Sequence, residues 1–256
     1  MFSQLFHVVL YQPLFNIFVG LYNIVPGHDV GVVILIITIL IRLLVYPLTA
    51  SSIKSQKSLQ ELQPKLEELK KQYGQDKQKL AQATMELYKN NKVNPFASCL
   101  PLLIQLPVLI ALYWVLRDGL ASTNLGQSLY TFIANPGQIN SLSLGFIDMA
   151  KPSVVLAVLA GAAQFLQAKT MMRKPAPTEA GAGAKDENMM AMMNKQMLYM
   201  MPIMTVVIGI SLPAGLTLYW FLSTILMAAQ QVFMNKKSKD SKPNNDRAIS
   251  GEVVNK

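Results

Sequence analysis

Apolar residues in this chain gather into runs, and five runs are long enough to cross a hydrocarbon layer of about 30 Å, which takes roughly 20 helical residues. They fall at 30–50, 97–116, 152–170, 197–212 and 213–234. The fourth is short for a crossing, which predicts local bilayer thinning or the recruitment of flanking Met and Tyr residues. Only the turn "SLPAG" separates the fourth run from the fifth. Its breakers Pro213 and Gly215 predict a tight antiparallel helical hairpin.

Residues 1–29 are apolar but patterned. Gln12, Asn16 and Asn23 fall within about 40° of one another on a helical wheel, while Phe15, Phe18 and Tyr22 line another face. This predicts an amphipathic helix lying in the outer interface, although the apolar content alone also permits a crossing.

Residues 51–96 follow a different rule. Leu59, Leu62, Leu66, Leu69 and Tyr73 alternate at spacings of three and four, the seam of a coiled-coil helix. Gly74 then supplies a stop and Asp76 the next N-cap, and Leu80, Ala83 and Leu87 continue a matching stripe. A helical hairpin kinked at Pro64 is predicted, compatible with either a solvated spacer or a docking arm. The stretch "PAPTEAGAGAKDEN" at 175–188 predicts a flexible linker. The basic tail 235–256 predicts disorder.

Charge fixes an orientation. Of the 23 Lys and Arg, 20 lie in segments 51–96, 169–196 and 235–256. By the positive-inside rule these face the cytoplasm, and the loop 117–151, carrying only Arg117 and Lys151, faces outward. Five spans then place the N-terminus outside and the C-terminus inside. The expectation is an all-α integral membrane protein: a five-transmembrane-helix bundle with a cytoplasmic helical hairpin, an extracytoplasmic loop 117–151, a cytoplasmic loop 171–196 and an N-terminal interfacial amphipathic helix. Composition agrees, with 52% apolar and 14% charged residues against about 25% charged in soluble domains. The first 41 residues hold no Lys or Arg, so no cleavable secretory signal is expected.

Enzymatic constellations are missing from this pattern. His7 and His28 fall near the outer surface, the single Cys99 excludes an internal disulfide, and no phosphate loop or paired metal-ligand motif occurs. No catalysis, cofactor or metal is expected, and nothing points to DNA. None of the 14 acidic residues lies inside a predicted span, Asp29 standing at the edge of the first, so a carboxylate relay has no candidate.

Arg42 is therefore the one charge deep inside a span. It lies about 12 Å from the predicted inner end at Ala50, and a charge at a helix centre costs about 2.5–3.5 kcal/mol on insertion scales. Either it snorkels as an orienting anchor, or it sits in a wet cavity. Thr38, Arg42 and Tyr46 share a face. Gln105 on the second run, Gln164 and Gln167 on the third, and Thr217, Trp220, Ser223, Thr224, Gln230 and Gln231 on the fifth add polar or amphipathic groups without a counter-charge. Methionines at 189, 190, 192, 193, 197, 200 and 201 suit either a surface greeting varied apolar segments or ordinary packing. Basic residues in the tail suit either ribosomal RNA or topology.

"RLLVYPLT" after an apolar run, the segment from "LQELQPKLEELKKQYGQD" to "NPFASCLPLLIQLPVLIALYWVL", and "LPAGLTLYWFLSTILMAAQQ" resemble the YidC/Oxa/Alb family of membrane protein insertases over about residues 10–235. The resemblance implies a five-helix core with a hydrophilic groove open to cytoplasm and lipid. It places Arg42, Thr38, Gln105, Gln164 and Ser223 along that groove, and Tyr219 and Trp220 where nascent transmembrane segments are met. It implies nascent membrane proteins, the ribosome, the Sec translocon, the signal recognition particle pathway and the lipid bilayer as partners, and the bacterial plasma membrane as location. Unlike many members, the chain shows neither a signal-anchor span with a large extracytoplasmic domain nor a lipoprotein signal. A solute transporter or channel is the alternative reading, for which inverted repeats and intramembrane carboxylates are lacking; a chaperone that holds helices without translocating them is a third.

Overall fold

The computed structural model describes residues 2–73, 76–94, 100–121, 125–171 and 196–240. Ser98, Cys99, the Gly74 stop, the linker 175–188, the methionines at 189–193 and the tail beyond Asp240 lie outside the described residues. The described chain is mostly helical. α1 (Phe2–Phe6) and α2 (Gln12–Ile24) are joined by one π-helical turn, followed by α3 (Val30–Glu61), α4 (Gln63–Tyr73), α5 (Lys77–Asn90), α6 (Leu100–Ala121), α7 (Val154–Met171), α8 (Met201–Gly209, entered by a π turn from Gln196) and α9 (Ala214–Asp240). One departure from an all-α chain is a two-residue antiparallel ladder, β1 (Leu142–Ser143) with β2 (Ile147–Asp148), inside the loop between α6 and α7.

Among the described residues four stretches meet the length and apolarity of a membrane crossing: Gln4–Ile24, Val30–Glu61, Leu103–Leu120 and Ala214–Lys236. The third and fourth predicted spans form shorter apolar helices, Val154–Thr170 and Leu198–Gly209. Their packing explains how they are held: a Cβ at Gly161 would overlap Val206 Cγ2 and stand 3.0 Å from the Pro202 carbonyl, and one at Gly209 would stand 3.0 Å from Ala157 Cβ. Small residues thus let α7 and α8 approach backbone to backbone, the contact that stabilises helices where lipid removes the hydrophobic drive.

Local chemistry sets the boundaries. Asp29 caps α3 by accepting from Gly31 N at 2.7 Å and Val32 N at 3.1 Å, which satisfies two of the N–H groups every helix start leaves open. Asp76 caps α5 through Lys79 N at 3.1 Å. α3 runs unbroken past the predicted span end at 50 to Glu61, because nothing after Ala50 breaks a helix. Pro64 does not kink a helix interior. It stands in the first turn of α4, where its missing N–H costs nothing. α9 likewise continues to Asp240, so the first residues of the predicted disordered tail are helical.

The core lies toward the end of the molecule where α3 and α9 begin and α6 finishes. Phe15, Phe18 and Val19 of α2, Val30, Val33, Ile34 and Ile37 of α3, Leu112, Val115 and Leu116 of α6, and Ala214 and Leu216 of α9 are buried together with Leu125, Ile139 and Met149 of the intervening loop. Two backbone bonds, Ala214 N to Lys151 O at 2.8 Å and Gly215 N to Met149 O at 2.9 Å, tie the α8–α9 turn to the residues before α7.

The polar residues of α2 do not point away from the protein. Asn16, only 3% exposed, donates Nδ2 to Gln12 O at 2.8 Å and Ser128 O at 2.9 Å, and its Oδ1 accepts from Tyr130 N at 2.6 Å. Asn23 donates to Ala134 O at 2.7 Å, and Tyr22 Oη accepts from Asn140 N at 2.9 Å. The loop after α6 is folded over α2 by these bonds, so the polar stripe serves backbone groups that the loop's own irregular path leaves open.

Candidate functional site

Beyond that apolar plug, the facing sides of α3, α6 and α9 turn polar. Arg42 stands about 18 Å along α3 from Val30, half-buried and followed by the exposed Leu43 and Leu44. Its Nε donates to Ser223 Oγ at 3.0 Å and its Nη2 to the same oxygen at 2.5 Å. Ser223 is 1% exposed. Among the described residues no carboxylate pairs with Arg42; Lys79–Asp76 and Lys151–Asp148 pair outside the apolar stretches, and Arg117–Asp118 pairs at the C-terminal end of Leu103–Leu120. A neutral hydroxyl orients the guanidinium without neutralising it.

Around this pair the polar contacts form a seam. Gln105 on α6 donates Nε2 to Tyr219 Oη at 2.9 Å, and Tyr219 lies one turn before Ser223 on α9. Two turns nearer the far end of α3, Thr49 donates to Gln230 Oε1 at 3.1 Å. Gln231 Oε1 accepts from Thr170 Oγ1 of α7 at 3.3 Å, while its Nε2 is the one buried side-chain N or O atom left unpaired among the described residues. A small recess opens beside Arg42, lined by Ile41, Val45, Thr49, Pro101, Ile104, Gln105 and Val108, with room for about one water.

The residues singled out from sequence are only partly brought together. Arg42, Ser223, Tyr219 and Gln105 form one cluster. Thr38 is fully buried and its hydroxyl donates to Ile34 O at 2.6 Å, so it belongs to the plug behind the recess. Gln164 and Trp220 are half-buried, and no hydrogen bond joins their side chains to the cluster among the described residues. Sequence reasoning passed over Thr49, which is bonded to Gln230. The signal was present: Arg42 and Thr49 are seven apart, as are Ser223 and Gln230, two stripes of equal pitch on helices that face each other.

At the other end of α3 the Asp29 carboxylate gathers four donors: the two cap amides, Ser143 Oγ at 2.5 Å and Leu144 N at 2.6 Å. Burial alone would raise its pKa, but the Leu144 amide, the Ser143 hydroxyl and the cap amides outweigh that and hold it below the usual carboxylate range.

The model of the 60Kd inner membrane protein family matches residues 20–242. The chain belongs to this family. It is 41% identical over 207 residues to a membrane protein insertase YidC of Fusobacterium nucleatum, covering 81% of this chain and 86% of that one. Proteins of the same name from Methylobacillus flagellatus and Legionella pneumophila are 38% and 39% identical over 90% of this chain, but the match spans only 36% of their length. The YidC/Oxa/Alb resemblance read from the motifs therefore holds, and with the apolar helices it makes this a multi-pass inner-membrane protein. Family membership covers α3, α6, α7, α8 and α9 together, so the seam lies within the matched region.

Proposed function

We propose that the chain inserts newly made membrane proteins into the bilayer and helps them fold, using the polar seam as a groove open to the cytoplasm and to lipid. The observation that carries this reading is the Arg42–Ser223 contact: a permanent charge held inside a span by a hydroxyl, with no carboxylate partner among the described residues. The names of the relatives support it. So does the one-ended burial, apolar toward the start of α3 and polar beyond.

The physics is a lowered solvation barrier. A hydrophilic tail crossing lipid must shed water from its charges and backbone, and a wet groove halfway through shortens that path. Arg42 attracts an acidic tail at reduced dielectric. A membrane potential positive outside favours moving each negative charge outward by about 2.3 kcal/mol per 100 mV. Partition of the client's apolar segment into lipid, about 25 cal/mol per Å² removed from water, supplies the main drive. Gln105, Tyr219, Trp220, Gln164, Thr38 and Ser223 line or back the client's path in this reading.

The five-span topology belongs to the same reading, with spans α3, α6, α7, α8 and α9, the N-terminus outside, the C-terminus and the α4–α5 hairpin in the cytoplasm, and α2 lying on the outer face beneath the loop it binds. Ribosome, Sec translocon and signal recognition particle are the partners such a route would meet at the cytoplasmic side. The test is reconstitution. Vesicles carrying the purified chain should protect the acidic tail of a single-span client from external protease, and equal protection in protein-free vesicles would defeat the proposal.

A further inference from the structure

The loop between α6 and α7 carries a feature that insertion does not require. β1 and β2 are joined by three residues, Leu144, Gly145 and Phe146; within the turn Leu144 has φ +53° and Gly145 φ +81°, closed by Phe146 N donating to Ser143 O at 3.2 Å. Positive φ at both central positions is the geometry of a type I′ hairpin turn, whose first central position is ordinarily Asn, Asp or Gly. Here that place holds leucine, a side chain that strains in the left-handed region.

The strained leucine is not buried. Leu144 is 69% exposed and Phe146 75%, with Leu142 also exposed on β1, while Ser143 between them is turned inward to Asp29. Leu142, Leu144 and Phe146 thus stand outward, while Ser143 and its ladder partner Ile147, packed against the core, turn inward. Water gives no reason for such sorting at a turn.

Position supplies the reason. Leu144 N is held by Asp29 Oδ2 at 2.6 Å, and Asp29 is the cap of α3. A Cβ at Gly31 would overlap Ser143 Oγ, so β1 packs against the first turn of α3 rather than above it. That turn leads into the exposed apolar stripe Val32, Leu35, Ile39 and Leu43, which follows helical pitch and faces lipid in a membrane protein. Gly31 lies next to Leu35 on the helical wheel, so the hairpin adjoins the lipid-facing side at the level where α3 enters the bilayer.

We propose that the Leu142–Phe146 hairpin tip is a lipid anchor, seated in the headgroup and upper acyl region of the leaflet at which α3 begins. The occupant is lipid because the apolar tip continues the lipid-facing stripe of α3. Asp29 fixes its depth by tying turn and helix cap into one joint, and Asp148, the ladder partner of Leu142, is paired with Lys151 at 3.0 Å, which sets the water-side limit of the tip. The anchor depends on the chain spanning the membrane and not on insertase activity.

Depth measurement tests it. In a Cys99→Ala background a nitroxide is placed at Phe146→Cys, at Leu144→Cys as a second site, and at Gln138→Cys, an exposed position of the same loop. The protein is reconstituted in phosphatidylethanolamine and phosphatidylglycerol vesicles. At positions 144 and 146 collisions with oxygen should exceed those with a water-soluble nickel chelate, and at 138 the order should reverse. Nickel collisions at 144 and 146 matching those at 138 would overturn the proposal. So would shielding of both tip labels from oxygen and nickel alike, the sign of a protein cover.

Discussion

Two nitrogens of Arg42 donate to the single hydroxyl oxygen of Ser223, at 3.0 Å and 2.5 Å, across the α3–α9 contact. The bond aims the guanidinium and leaves its charge whole. Arg42→Ala should therefore impair insertion of clients with acidic translocated tails while clients with uncharged tails lose less. Arg42→Lys should be largely tolerated, since charge is kept and only the forked contact is lost. Ser223→Ala should cost less than Arg42→Ala. Protease protection of tails differing only in charge reads all three, and equal activity of Arg42→Ala on acidic tails would remove attraction from the mechanism.

The α7–α8 crossing gives a second expectation. Gly161→Ala forces a Cβ into Val206, and overpacking of a tight contact costs about 1–3 kcal/mol. Thermal unfolding in detergent should show the loss. Adding Val206→Ala should restore most of it, because the clash is with that side chain, although the Pro202 carbonyl at 3.0 Å keeps the recovery incomplete.

How much of this was legible along the chain differs by distance. The apolar runs gave the helices because each is local, and the Asp76 cap was visible because the cap bond spans three residues. The Arg42–Ser223 bond joins residues 181 apart. No periodicity states which hydroxyl of α9 an arginine of α3 will meet, and Thr38, though on the same face, went to its own helix backbone. Asn16 and Asn23 of α2 fall on one face, as their spacing predicts. Their purpose was hidden, because Asn16 serves Ser128 and Tyr130 in a loop more than a hundred residues away. Continuation of α3 to Glu61 was missed because a change from apolar to polar composition marks the end of a hydrocarbon crossing, not the end of a helix.

Asp29 makes a pH expectation with a definite sign. Its folded pKa is depressed, so its contribution to stability is fully present above the unfolded carboxylate value of about 3.9 and falls away as pH drops through the lower folded value. Wild type should lose thermal stability on acidification in that window. Asp29→Asn keeps a capping oxygen, since Asn and Asp cap about equally well, but its amide NH2 cannot accept from Leu144 N. The variant should therefore be less stable at neutral pH through loss of that charge-assisted bond, and its melting temperature should change less over the same window. Parallel acid profiles for the two proteins would show that the carboxylate joint contributes nothing.

Gln231 supplies the last expectation, and it separates stability from function. Its Nε2 is buried without a partner, with the residue 2% exposed, and a buried donor left unpaired costs about 1–3 kcal/mol. Gln231→Met keeps the volume and the unbranched shape while removing that donor, at the expense of one long bond from Thr170. The melting temperature in detergent should hold or rise. If the donor is kept because a passing polypeptide carbonyl or its water completes it, the same variant should insert clients more slowly despite its stability. A melting temperature several degrees lower would instead mean that Nε2 is already satisfied in the resting protein, and the seam would then end at Gln230.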